Sequence, residues 1–507
     1  LPLGALVLAL LIQPAYAHGF GGRYVLPIPL SFFVVGGAAT VMISFLIIGV
    51  LVNREALVQG YPRLNLLRYT WFRWLARPPL LLLVKLVSLF LFLLVIATGL
   101  FGVDRPVDNL APTFIWIIWW VGLGFFVALF GNLWALVNPW KILYSWFEFI
   151  YHQFQPDREL TLGYDYPQRW GVWPAVILFF SFSWAEVALA ESADPETLAR
   201  MMITYSIITL GGMFIFGKHQ WLRHGEAFTV VFGLLTRFSL SEVRVTEPEV
   251  CRECGTQCLE EGGECIDCYE CFEYAEHREF NLRPPAIGLN QAGTVTPSMV
   301  ALAMLLLATV TFDGFSATPE WVEVQSFFIN LFPYLTSPYL NGVVIANTVG
   351  LLGFPLGFAL VYWMFSGLIY LAVGRRPPLV GVVMAAFAFT LIPIALVYNY
   401  AHFLTFLVIQ GQLIIALASD PFGVNWNLFG TRDYLINIEI FSASFVWFFS
   451  VGVIVLGHVI AVLLAHLRAM QLYNDHNLAL KSQLPMLGLM VLYTVVSLWI
   501  VSRPITE

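Results

Sequence analysis

Charged residues make up only 11% of the 507-residue chain, while 59% are hydrophobic. A soluble domain carries about 25% charged residues, so two or more soluble domains of this length would lack a polar coat. Lys and Arg number 25, Asp and Glu 32, for a net charge of −7. No broad basic field is available to follow a nucleic-acid backbone. Outside one short segment there is not a single cysteine. Neither GxSxG nor HExxH occurs, so neither a serine-hydrolase elbow nor a helical zinc-protease motif is on offer. No convincing internal repeat is found, which disfavours an inverted-repeat transporter. These absences exclude a soluble enzyme, a nucleic-acid binder and a disordered chain. They leave a multi-spanning membrane protein.

Long apolar runs fill the rest. A helical span needs about 20 mostly apolar residues, and candidates lie near 3–17, 29–52, 79–101, 113–136, 172–190, 199–217, 297–315, 343–373, 379–398, 399–418, 440–465 and 485–502. The runs are continuous rather than alternating, so they predict helices and not barrel strands. The expected fold is an all-α polytopic bundle of about 11–12 hydrophobic segments with one cysteine-rich insertion. Its units are an N-terminal signal peptide or anchor (1–17), a first bundle with an interfacial segment (18–240), the insertion (241–295) and a second bundle (296–507). Ala15-Tyr16-Ala17 has the small-x-small form of a cleavage signal. Retention as an anchor is the expectation; cleavage would expose His18 as a copper-chelating terminus. Residues 379–418 read as two spans, or as one span plus a re-entrant helix, with the second preferred.

Orientation follows from basic loops. Arg54, Arg63, Arg68, Arg73 and Arg77 place the loop after the second segment in the cytoplasm. Lys141, Arg158, Arg169, Lys218, Arg223, Arg237, Arg375 and Arg376 agree when the spans alternate. The insertion then falls on the cytoplasmic side.

All six cysteines lie in that insertion: Cys251, Cys254, Cys258, Cys265, Cys268 and Cys271, spaced CxxCxxxC, six residues, CxxCxxC. Disulfides are rare in a reducing compartment. CxxC sets two thiolates on one turn, able to grip one ion, and two such pairs complete a tetrahedron. Zinc is the favoured occupant. CxxCxxC with a remote fourth thiolate could instead hold an iron–sulfur cluster, although the usual fourth cysteine and following Pro are missing. The acidic neighbours Glu253, Glu260, Glu261, Glu264, Asp267, Glu270 and Glu273 call for a cation among the thiolates.

Ionisable residues at membrane depth are functional candidates. His402 lies in the polar run YNYAHFLTFLVIQGQ, and His458 shares GHVIAVLLAHLRA with His466. His402 and His458 could supply a haem or copper pair from two helices; each could equally be a hydrogen-bonded packing residue. Lys85 is expected to reach back to the cytoplasm, Asp313 to be wet, and Glu186 to be either interfacial or a buried carboxylate. GKHQWLRHGEAF reads as an interfacial anchor with Trp221 at the headgroups, and 226–240 as a helix along the membrane surface.

Several segments together carry a likeness. AHGFGGRYVLPIPLSFF (17–33), WLRHGEAFTVVFGLLTR (221–237), NLRPPAIGL (281–289), SDPFGVNWNLFGT (419–431) and GHVIAVLLAH with the later SQLPML (457–487) resemble bacterial membrane proteins of the fenitrothion hydrolase-like family. The resemblance runs along most of the chain. It implies a multi-pass protein of the bacterial inner membrane, organophosphate triester hydrolysis and a hetero-oligomeric setting, but assigns no catalytic residue.

The residues themselves favour an integral membrane subunit of a redox- or metal-dependent complex. It would carry a cytoplasmic zinc or iron–sulfur site, sit in the lipid bilayer, partner other membrane subunits and bind no nucleic acid. A membrane-bound hydrolase and a metal or small-solute transporter are the alternatives.

Overall fold

The computed structural model describes residues 29–52, 60–189, 191–247, 249–250, 265–290, 295–374, 378–473 and 475–503, with short stretches at 16–17 and 24–25. The expectations for segment 3–17, His18, Cys251, Cys254 and Cys258 lie outside the described residues.

Among the described residues nine helices are long and apolar enough to cross a membrane. They are α1 (Leu30–Leu51), α2 (Pro78–Phe101), α3 (Leu110–Phe130), α6 (Pro195–Phe216), α10 (Pro297–Ser316), α12 (Gly342–Ala372), α13 (Val380–Ser419), α14 (Ala443–Leu472) and α15 (His476–Val501). Between them stand α4 (Pro139–Phe154), α5 (Trp173–Val187), α7 (Lys218–His224), α8 (Ala227–Leu235), α9 (Tyr269–Tyr274) and α11 (Pro319–Leu331). The fold is a polytopic helix bundle. Side-chain caps start many of these helices: Asp194 accepts from Thr197 N, Thr296 from Met299 N and Ser442 from Phe445 N. Pro follows the cap at α6 and α10, where its missing N–H costs nothing.

Two expectations about segments change. Residues 380–419 form one continuous helical run, tightened into 3₁₀ turns at Ala388–Leu391 and Gln410–Gln412. At 1.5 Å per residue, 40 residues would reach about 60 Å if straight, well beyond a bilayer core of about 30 Å. The segment expected on the membrane surface is instead part of the core. In α8, Ala227, Phe228, Val231, Phe232, Leu234 and Leu235 are buried, and no residue from 227 to 239 is exposed. Its apolar face has partners on several sides, including Trp119 and Trp134. Trp221 is likewise buried, slotted between Gly212 and Gly225, where a Cβ would stand 2.2–2.7 Å from its ring.

α10 is the most enclosed span, with 72% of its apolar window buried. α12 and α13 pack against it, α13 lies along α14, and α1 packs on α14 and α15. Gly457 permits the α13–α14 approach, because a Cβ there would meet Val397 at 2.3 Å.

The insertion folds as a small lobe on one end of the bundle. Strands β1 (Leu64–Asn65), β2 (Ser241–Val245), β3 (Cys265–Ile266) and β4 (Arg278–Leu282) form an antiparallel sheet in the order β1-β4-β2-β3. Ser241 pairs with Leu282, Val245 with Cys265, and Leu64 with Leu282 from the other side. The lobe therefore recruits a strand from the loop after α1, which the 241–295 boundary did not include.

A candidate thiolate centre and an intramembrane acid–histidine group

Cys265, Cys268 and Cys271 come together at the edge of the sheet. Their sulfurs lie within 4.8 Å of one another, and they are not disulfide-linked to one another. Local chain geometry explains this. Cys265 ends up on β3, and the chain then turns through Asp267, whose φ is +57°. Asp is among the few L-residues that visit this left-handed region readily. The turn delivers Cys268 to the N-cap of α9, and Cys271 follows one turn later on the same face. Cys265 and Cys271 are buried against Val245 and Ala275, and Cys268 is half-buried.

The turn is held from behind. Asp267 N–H donates to Val243 O at 2.9 Å, and its carboxylate accepts from Arg283 at 2.8 Å. Arg283 has a fully buried side chain and also meets Glu242 at 3.3 Å, Thr236 O at 3.1 Å and Ser239 O at 3.4 Å. Glu242 in turn accepts from Arg63 at 2.6 Å and Tyr61 at 2.5 Å. Two carboxylates thus face two guanidiniums, a balanced set in a place where an unpaired charge would be costly. Burial pushes the Asp267 carboxyl up against the pull of Arg283.

α9 fastens the cysteine site to the membrane helices. Glu273 bridges Lys141 at 2.8 Å and Lys85 at 2.9 Å, from α4 and α2. Glu270 pairs with the His219 ring on α7. The Tyr269 hydroxyl accepts from Asn132 N at 3.1 Å. Burial raises the Glu273 carboxyl, but the two lysines prevail and hold it down at about 2. The Glu270 hydrogen bond holds His219 above its ordinary value. Burial pushes the Tyr269 phenol up to about 12. Lys85 thus ends on a carboxylate of the lobe. Nothing in the run of the sequence marked Glu273 apart from the other acids of the insertion.

Just inside the bundle from Lys85 and Lys141 lies an open apolar cavity of about 1050 Å³ walled by Trp116, Trp119, Trp134, Trp140 and Phe92. At its edge the buried Glu226 caps α8, accepting from Phe228 N at 3.0 Å, Thr229 N at 2.7 Å and Tyr205 at 2.5 Å. A carboxylate at a helix N-terminus is favoured by the helix dipole, so this anion is structurally satisfied.

The two bundle histidines have different surroundings. His402 Nε2 meets Asp313 Oδ2 at 2.9 Å. Asp313, expected to be wet, is only 24% exposed in its side chain. Both carboxylates of interest, Asp313 and Glu186, line one cavity of about 50 Å³ with Asn399 and Ser183. His458 is completely buried. It sets Nδ1 against Ile454 O at 2.8 Å and its ring 5.9 Å from that of Tyr493. His402 and His458 therefore have separate partners. The Asp313 and Glu186 companions of His402 come from distant helices, and only their position at membrane depth hinted at them.

No protein family, characterised protein or solved structure matches the chain.

Proposed function

We propose that this chain is an integral membrane subunit of a redox- or metal-dependent complex, with a thiolate metal centre on a lobe at the cytoplasmic face of a bacterial inner membrane. The observation that carries the reading is the gathering of three sulfurs within 4.8 Å beside a helix that is ion-paired to the span α2 and to α4. Three soft donors in reach of one point suit zinc or an iron–sulfur cluster. Cys251, Cys254 and Cys258 are the sequence's own candidates for the remaining coordination. Zinc is favoured because two cysteine triplets exceed the four thiolates it needs, whereas the ferredoxin pattern is incomplete.

The chain's own residues define what the centre can influence. Asp267 and Arg283 set the knuckle, and Glu273 with Glu270 carries its position to α2, α4 and α7. Bound metal would organise a lobe too small to fold firmly alone. The basic loops put that lobe in reducing cytoplasm, where thiolates persist.

Metal analysis of the purified full chain tests the proposal. Zinc near one per chain, or iron with acid-labile sulfide and brown colour, supports it, and Cys265→Ser, Cys268→Ser and Cys271→Ser should each lower the content. Metal-free protein whose cysteines are labelled only from outside the cell would overturn both the centre and the orientation. Turnover of an aryl phosphotriester by metal-free protein would favour the hydrolase reading that the family resemblance implies.

A further inference from the structure

The bundle holds a second group of ionisable side chains, independent of the cysteine lobe. Glu186 stands near the end of α5, Asp313 near the end of α10 and His402 within α13. α10 begins two residues after residue 295, on the lobe side, and Asp313 lies 16 residues along it. That is about 24 Å from the lobe end and about one turn from the opposite end.

Two carboxylates and one imidazole carry a net charge of −1 even with His402 protonated, and −2 without. A net charge in a low-dielectric setting is costly unless a cation or proton joins it. The surroundings offer few other charges. Glu186 interacts electrostatically with Asp313 and takes a hydrogen bond from the Trp120 indole. α12 presents the neutral Asn347, already engaged with Trp321 and Gln325. From the end of α15, Arg503 is committed to Glu320 at 2.6 Å.

Two observations decide which cation fits. Among the described residues, the cysteine trio is the one His, Cys, Asp or Glu group whose ligand atoms gather within 4.8 Å. Glu186, Asp313 and His402 are therefore not drawn around a common point as a multidentate metal site would be. Second, the Tyr398 hydroxyl is 1% exposed and without a hydrogen-bond partner. It stands 2.5 Å from where a Cβ on Gly314 would be, beside Asp313, and its ring lies 6.3 Å from that of His402. The 50 Å³ cavity that Glu186 and Asp313 line has room for a few waters at most, which suits a proton better than a hydrated cation.

We propose that Glu186, Asp313 and His402 form an intramembrane proton-binding site, in which the two carboxyls lining one cavity together carry one proton and exchange it with solvent at the face opposite the lobe. On release the carboxyl O–H bond breaks, its electron pair stays on the carboxylate, and the proton passes to water. Uptake is the reverse. His402 donates through Nε2 to Asp313 and steadies the carboxylate so formed.

Infrared spectroscopy of the full chain in lipid tests this. At pH 7 in sodium-free buffer the wild type should show one protonated-carboxyl C=O band per chain. Glu186→Gln and Asp313→Asn should each abolish it, and His402→Gln should shift the pH at which it titrates. Helical content measured on the same samples reports folding, and the two carboxyl variants check each other. Absence of the band in wild type, or its persistence in both variants, would overturn the proposal. So would a band that vanishes on adding sodium, which would make the site one for a metal cation.

Discussion

The lobe and the bundle each gather carboxylates, but they handle the charge differently. In the lobe Glu242 and Asp267 face Arg63 and Arg283, and Glu273 faces two lysines. Each of these three acids is answered by a base from another element, so the charges act as fasteners. In the bundle Asp313 pairs with His402, while Glu186 has Asp313 as its neighbouring charge and no cation of its own. That group is underpaired, and an underpaired ionisable group at membrane depth points to traffic rather than to architecture. Glu226 is the control: more deeply buried than either, it is satisfied by two backbone amides and the Tyr205 hydroxyl.

The comparison is broken most directly at Arg283. Replacing it with Ala strands Glu242 and Asp267, and removing one partner of a buried pair costs about 3–5 kcal/mol. The lobe should become protease-sensitive and lose metal while the spans stay inserted. A lobe that stays resistant would show that the network is not its support. Glu226→Ala should cost less, about 1–2 kcal/mol, the scale of a lost N-cap. Its effect should appear as a lower thermal midpoint in detergent, with metal content unchanged. Glu273→Gln should be milder still, below about 1 kcal/mol, because the pair is partly exposed and screened. Faster amide exchange confined to 269–274 is the expected sign; global destabilisation would mean that the clamp carries more than docking.

pH sharpens the same contrast. Glu273 is depressed, so its contribution is present above its ordinary 4.5 and lost as pH falls through about 2. His219 is raised, so its pairing with Glu270 is fully present below 6.5 and lost as pH rises through its elevated value. The lobe should therefore be best docked between about 4.5 and 6.5 and should loosen first on the alkaline side. Exchange at 269–274, corrected for intrinsic rates, would check this. Earlier loosening on the acid side would contradict it.

Much of the bundle was legible because a span announces itself by length and apolarity alone. Leu30–Leu51 and Pro297–Ser316 lie within two residues of their expected limits. The cysteine trio was legible because CxxCxxC is a local pattern. What escaped was partnership across the chain. Asp313 and His402 are 89 residues apart, and Tyr61 and Glu242 are 181 apart, with no periodicity to join them. Residues 226–240 read as a surface helix because the stretch is amphipathic and too short to span. Only tertiary packing reveals that α8 has partners on several sides. The slot that buries Trp221 depends on Gly212 and Gly225, whose meaning appears only once α6 and α7 are folded together.

The pairing of Leu64 with Leu282 has a consequence for biosynthesis. The two residues are separated by 218 positions and by the helices α2, α3, α5 and α6. At about 5–20 residues per second, a ribosome needs roughly 10–45 s to travel between them. For that interval the sheet cannot close, and for most of it Arg63 and Tyr61 wait without Glu242. When it does close, it ties the loop after the first described span to the chain that precedes α10. The first half of the protein is thereby tied together at the point where the chain enters its most enclosed helix.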